Sequence, residues 1–129
     1  MPVRSLSSSV LRWPDGATVD AAVRRWADSV VERHRDVVGV GYFGSYARGD
    51  SGVGSDVDLI ILVKDADQPF ERRATRFDTT DLPVPAELVV YTTDEWAKLT
   101  SGPGFARTVA GEVIWIGGDE QYRGQPPNR

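Results

Sequence analysis

Apolar positions fall along the chain in blocks of two different periods. From Val19 to Arg35 they recur at helical spacing. Val23, Trp26, Ala27, Val30 and Val31 form one stripe, with Arg24, Arg25, Arg33 and Arg35 on the faces toward water. Thr18 stands where an N-cap belongs, after the turn signal Pro14-Asp15-Gly16. VVGVGYF, residues 37–43, is a β-branched and aromatic run of strand length. A second such run spans Val57 to Val63, and a third, ELVVYT, follows Pro83 and Pro85. EVIWI, residues 112–116, reads as a short last strand. Between these lie a short helix over 69–77 and one that opens on Thr93-Asp94-Glu95 and runs to Thr100. After the break Ser101-Gly102-Pro103-Gly104 a further helix covers Phe105 to Ala110. Met1 to Trp13 reads as an irregular start with room for one short strand. The order is helix, two strands, helix, strand, helices, strand. That order points to an α+β domain, a mixed sheet with helices packed against it.

Composition narrows the chemistry more than the fold. The 129 residues suit one domain, expected over 1–118, with 119–129 as a mobile polar tail. No cysteine is present and His34 is the lone histidine, so disulfides and thiolate metal sites are excluded and zinc is disfavoured. Any metal should be a hard one held by carboxylates. No apolar stretch approaches the roughly 20 residues that span a bilayer, and the start lacks the apolar core of a secretory signal, so the expected location is cytoplasmic. A net charge of −4 speaks against general nucleic-acid binding, which needs a broad basic face. The arginine groups, Arg72, Arg73 and Arg76 included, read as solvated helix faces.

The informative segment is GSYARGDSGVGSDVDLIILV. On a strand, side chains at i and i+2 share a face, roughly 6.5 to 7 Å apart. Asp56 and Asp58 therefore project together, while Val57 and Leu59 point to the core. Two carboxylates this close repel unless a cation lies between them, and magnesium accepts such ligands alongside phosphate oxygens. Alone, the pair fits a turn entering a strand as well as a metal holder. Gly44 and Ser45 follow the first strand directly, where a turn can present N–H groups and a hydroxyl to a phosphate. A plain strand-to-helix turn capped by Ser45 fits those two residues equally. Gly49, Gly52 and Gly54 allow a hairpin-like return that carries Asp56 back beside Gly44. Arg48 lies in the same loop, placed either to pair with a triphosphate or to bridge Asp50. Glu87 opens the third strand as Asp56 opens the second. If those strands are neighbours, Glu87 shares the carboxylate face and could complete a metal site or take a proton.

Gly44-Ser45, ten residues, Asp56-x-Asp58 and an acid opening a later strand resemble the nucleotidyltransferases of the DNA polymerase β superfamily. The text GSYARGD is similar to their minimal nucleotidyltransferase (MNT) group. The resemblance covers roughly residues 19 to 96. It implies a polymerase β palm-like α+β fold, two magnesium ions and ATP or another nucleoside triphosphate as substrate. It also implies transfer of a nucleoside monophosphate, AMP by first choice, to an acceptor hydroxyl with release of pyrophosphate. Asp56, Asp58 and Glu87 would then be the catalytic and metal-holding acids, and Gly44, Ser45 and Arg48 the nucleotide-binding residues. The family more often carries aspartate at the third acid, so Glu87 departs from the pattern by one methylene. Members of the MNT group pair with small helical HEPN proteins as antitoxins of toxin–antitoxin systems, which makes a HEPN-type protein the expected partner. An aminoglycoside-type adenylyltransferase and a binding module with little turnover are the alternatives. Self-association is left open.

Overall fold

Asp15, not Thr18, caps the first helix. In the computed structural model, which describes residues 13–123, the Asp15 carboxylate accepts from the Thr18 backbone N–H at 2.8 Å. Helix α1 runs Gly16–Arg33 and so begins earlier and ends earlier than the apolar period implies. It stops because His34 turns extended and the Val37 N–H closes back on the His34 carbonyl, feeding the chain into β1. No acid sits in the first turn of α1, so packing rather than the helix dipole holds it. Val19, Val23, Trp26, Ala27 and Val30 are buried, and burying one such large side chain stabilises by about 1.5–3 kcal/mol.

The strands are β1 (Val37–Phe43), β2 (Val57–Val63), β3 (Ala86–Thr92) and β4 (Ile114–Gly118). They form one mixed sheet in the order β3-β2-β1-β4, with β2 and β3 parallel and the other pairs antiparallel. β2 is central and nearly all buried, which is why it reads as an unbroken apolar run instead of an alternating one. One face packs under α1, with Val40, Tyr42, Leu59, Ile61 and Val63 meeting the helix stripe. The other carries Val38, Ile60, Leu62, Val113 and Trp115, with Phe43, Val89, Tyr91, Trp96 and Tyr122 half-buried around them. β4 is displaced two residues from EVIWI. Gly117 and Gly118 pair with Val40 and Gly39, a contact that glycine's poor strand propensity conceals.

The remaining helices are α2 (Ser45–Arg48), α3 (Phe70–Arg73, continued as a 3₁₀ turn through Ala74–Arg76), α4 (Thr93–Ser101), α5 (Phe105–Glu112) and α6 (Glu120–Arg123). Thr92 rather than Thr93 caps α4, in a capping box with Glu95. One arginine corrects the expectation of solvated faces. Arg73 is buried, fork-bonded to Glu95 at 2.6 and 3.1 Å, and it also donates to the carbonyls of Gln68 and Val90. Its neighbour Arg76 bonds both Asp36 oxygens at 2.9 Å. Within the segment expected as tail, Tyr122 of α6 rests against Trp115, ring centroids 5.2 Å apart. Residues 124–129, and the short strand expected before Trp13, lie outside the described residues. Among the described residues no helix is long and apolar enough to cross a membrane.

Candidate active site

The candidate residues gather at one end of the sheet because β1 and β2 are joined by the glycine-rich return and β3 lies beside β2. The register sets Phe43 opposite Asp58 and Asp58 opposite Glu87. Asp58 and Glu87 are thus cross-strand neighbours with side chains on one face, the face of Ile60 and Val89. Asp56 precedes β2 and is exposed, as is Glu87, while Asp58 is half-buried. Burial, then the charge of Glu87, then that of Asp56 push the Asp58 carboxyl above the usual aspartate range, with Arg48 pulling the other way. That ranking makes the three acids one electrostatic group.

The turn at Gly44 belongs to the same group. Gly44 has φ of 77° and lies tight against Asp58: an added Cβ would collide with Asp58 Oδ2 and stand 3.2 Å from its Cγ. Glycine is needed there for both the backbone angle and the close approach. Ser45 begins α2, whose leading N–H groups have no partner within the helix. The helix ends after one turn in Gly49, in the left-handed region, and the chain bends back toward β2.

Two residues of the site carried little signal in sequence. Tyr46 is buried, donates to the Ser55 carbonyl at 3.3 Å and accepts from the Trp13 indole at 3.1 Å, so it ties the return to the body of the domain. Its only sequence mark is a large aromatic inside a glycine-rich loop. Glu112, at the end of α5, had none. It takes one arm of Arg48 at 3.2 Å while Asp50 takes Nε at 3.2 Å. Arg48 therefore makes the bridge to Asp50 that its position allows, plus a second one across 64 residues.

The donor set suits a hard cation: three carboxylates, no sulfur, and repulsion at Asp58 that a positive charge would relieve. Among the described residues no three such side chains converge tightly enough to hold an ion unaided. An open set of this kind fits magnesium, which keeps water and phosphate oxygens in its shell.

The chain matches the family model of the nucleotidyltransferase domain over residues 23–116. No curated protein matches it. Among solved structures it is similar to a Sulfolobus solfataricus protein assigned by inference as a nucleotidyltransferase. The identity is 19% and the TM-score 0.54, with 64% of this chain and 75% of that chain covered. At that identity the likeness is one of fold. A toxin–antitoxin with AMP-PNP shares 17% identity at a TM-score of 0.47, covering 76% of this chain and 75% of that one. A mutant of the toxin–antitoxin MntA–HpeT shares 15% at 0.43, covering 73% and 70%.

Proposed function

The chain belongs to the nucleotidyltransferase domain family, and from that premise we propose that it transfers a nucleoside monophosphate, AMP from ATP by first choice, to an acceptor hydroxyl. The observation that carries this reading is the meeting of Asp58, Glu87 and the Gly44 turn at one end of one sheet face. The acceptor oxygen attacks the α-phosphorus, the bond to the bridging oxygen breaks, and pyrophosphate leaves with the electron pair. Asp56 and Asp58 are the residues that would hold magnesium, and Glu87 either completes that set or takes the acceptor's proton. Bound magnesium would supply charge neutralisation across the triphosphate. The Ser45 hydroxyl and the leading N–H groups of α2 hold phosphate oxygens, and Arg48 joins them on leaving Asp50 and Glu112. The protein's task is positioning and charge, not covalent chemistry.

The acceptor we assign is a small helical partner of HEPN type, with this chain as antitoxin of the pair; the support is the resemblance carried by GSYARGD and the acids. The test mixes the protein, the product of the neighbouring gene, magnesium and ATP labelled at the α-phosphate. Label should pass to the neighbour and be lost with Asp58→Asn. Label reaching another hydroxyl compound but never the neighbour would move the acceptor elsewhere. A second reading, a nucleotide-binding or toxin-masking module with little turnover, is favoured by the lack of three converging acids among the described residues. Full neutralisation of the partner by both Asp56→Asn and Asp58→Asn would select it.

A further inference from the structure

The strands that bring the acids together continue into an apolar groove on the same face. Ile60 follows Asp58 by two positions and Val89 follows Glu87 by two, roughly 6.5 to 7 Å further along each strand. Phe43, opposite Asp58 in register, immediately precedes the Gly44 turn. These three floor a cavity of about 200 Å³ whose walls are Tyr91, Trp96 and Leu99. None of the six is charged, and only Tyr91 and Trp96 carry a polar side-chain atom. The volume is below the roughly 300–1,000 Å³ of sites that enclose a whole drug-sized ligand. It suits one ring system. Leu99 stands at the rim, 37% exposed, an unusual position for a large apolar side chain.

We infer that this groove takes the base of the nucleoside triphosphate, a purine by size, with the sugar spanning from the groove to the acids. The inference rests on the nucleotidyl-transfer reading above. A base held there meets aromatic faces and aliphatic walls but no charged partner. Stacking of this kind tolerates base identity, because every base has a π face. ATP and GTP should therefore bind comparably, and CTP and UTP more weakly.

The experiment uses the full chain with magnesium and three probes: ATP, adenosine and inorganic tripolyphosphate. Leu99→Glu alters the rim, and unchanged thermal unfolding shows that the fold is kept. Leu99→Glu should weaken ATP and adenosine by about tenfold, the scale of one lost stacking site. Tripolyphosphate binding should stay unchanged, which also controls for the added negative charge. ATP should quench tryptophan fluorescence in the wild type, and Trp96→Phe should remove most of that quench. ATP binding equal in wild type and Leu99→Glu, with tripolyphosphate still competing, overturns the groove assignment while leaving the transferase reading intact. Leu99→Glu that binds ATP normally but no longer modifies the acceptor also overturns it, giving the groove to the acceptor. Failure of both ATP and tripolyphosphate to bind the wild type removes the underlying reading itself.

Discussion

At the scale of single residues, the site depends on the close approach of Gly44 to Asp58. Gly44→Ala adds a Cβ at positive φ and drives it into the Asp58 carboxylate. The expected cost is about 1–3 kcal/mol, the range for strained backbone, with loss of ATP binding. Ser45→Ala keeps the backbone and removes one donor, so its stability should stay within about 0.5 kcal/mol of wild type while ATP binding weakens. Chemical denaturation with calorimetric ATP titration of both variants checks the contrast. Glu112 is the other residue to probe. Glu112→Gln frees one arm of Arg48 and should lower the KM for ATP by about threefold at low salt, the scale of one exposed ion pair. The kcat should hold, and a raised KM would show that Glu112 aims Arg48 at the nucleotide instead of holding it back. Gly44, Ser45, Asp56 and Asp58 were legible in sequence because a turn and an i, i+2 pair are local. The Glu112 contact was not, since it closes only when α5 folds over the loop.

At the scale of elements, α4 shows how a local rule and a distant contact share one carboxylate. The capping box ties Glu95 to Thr92, which the acidic opening of the helix announces. Arg73 then reaches the same carboxylate from α3, and this fork, ahead of the Thr92 backbone bond, holds Glu95 down to about 2 from an ordinary 4.5. A carboxylate with a lowered folded-state pKa contributes stability that is present above about 4.5 and lost as pH falls toward about 2. Glu95→Gln should therefore flatten that part of the acid limb. At neutral pH it should cost about 1–2 kcal/mol, less than a fully buried pair because Glu95 is 42% exposed. Denaturant melts at pH 7, 4 and 2.5 measure both effects. Sequence pattern located the central strands without error at β1 and β2, where β-branched runs are bounded by turn residues. It missed at the ends: Asp15 displaced Thr18 as cap, and two glycines extended β4. Capping and strand ends are decided by one or two hydrogen bonds that periodicity does not encode.

At the scale of the molecule, the parallel pairing of β2 with β3 converts three separated acids into one charged group, and the fold pays for this in stability. No local pattern announces a strand order of β3-β2-β1-β4; Glu87 became a neighbour of Asp58 only through the crossover that α3 makes. The core on both faces holds Asp58 half-buried beside two like charges, an arrangement that opposes folding until a cation or nucleotide arrives. Asp58→Asn should then raise the Tm of the ligand-free protein by about 2–6 °C, corresponding to relief of about 0.5–2 kcal/mol, while abolishing transfer. Magnesium with ATP should raise the wild-type Tm and leave the variant nearly unmoved, because the variant has lost the charge that binding satisfies. Differential scanning calorimetry with and without magnesium and ATP reads all four values. A variant less stable than wild type in the absence of ligand would mean that Asp58 is held for the fold, through bonds its charge makes with the Gly44 turn, and not against the fold for the sake of the nucleotide.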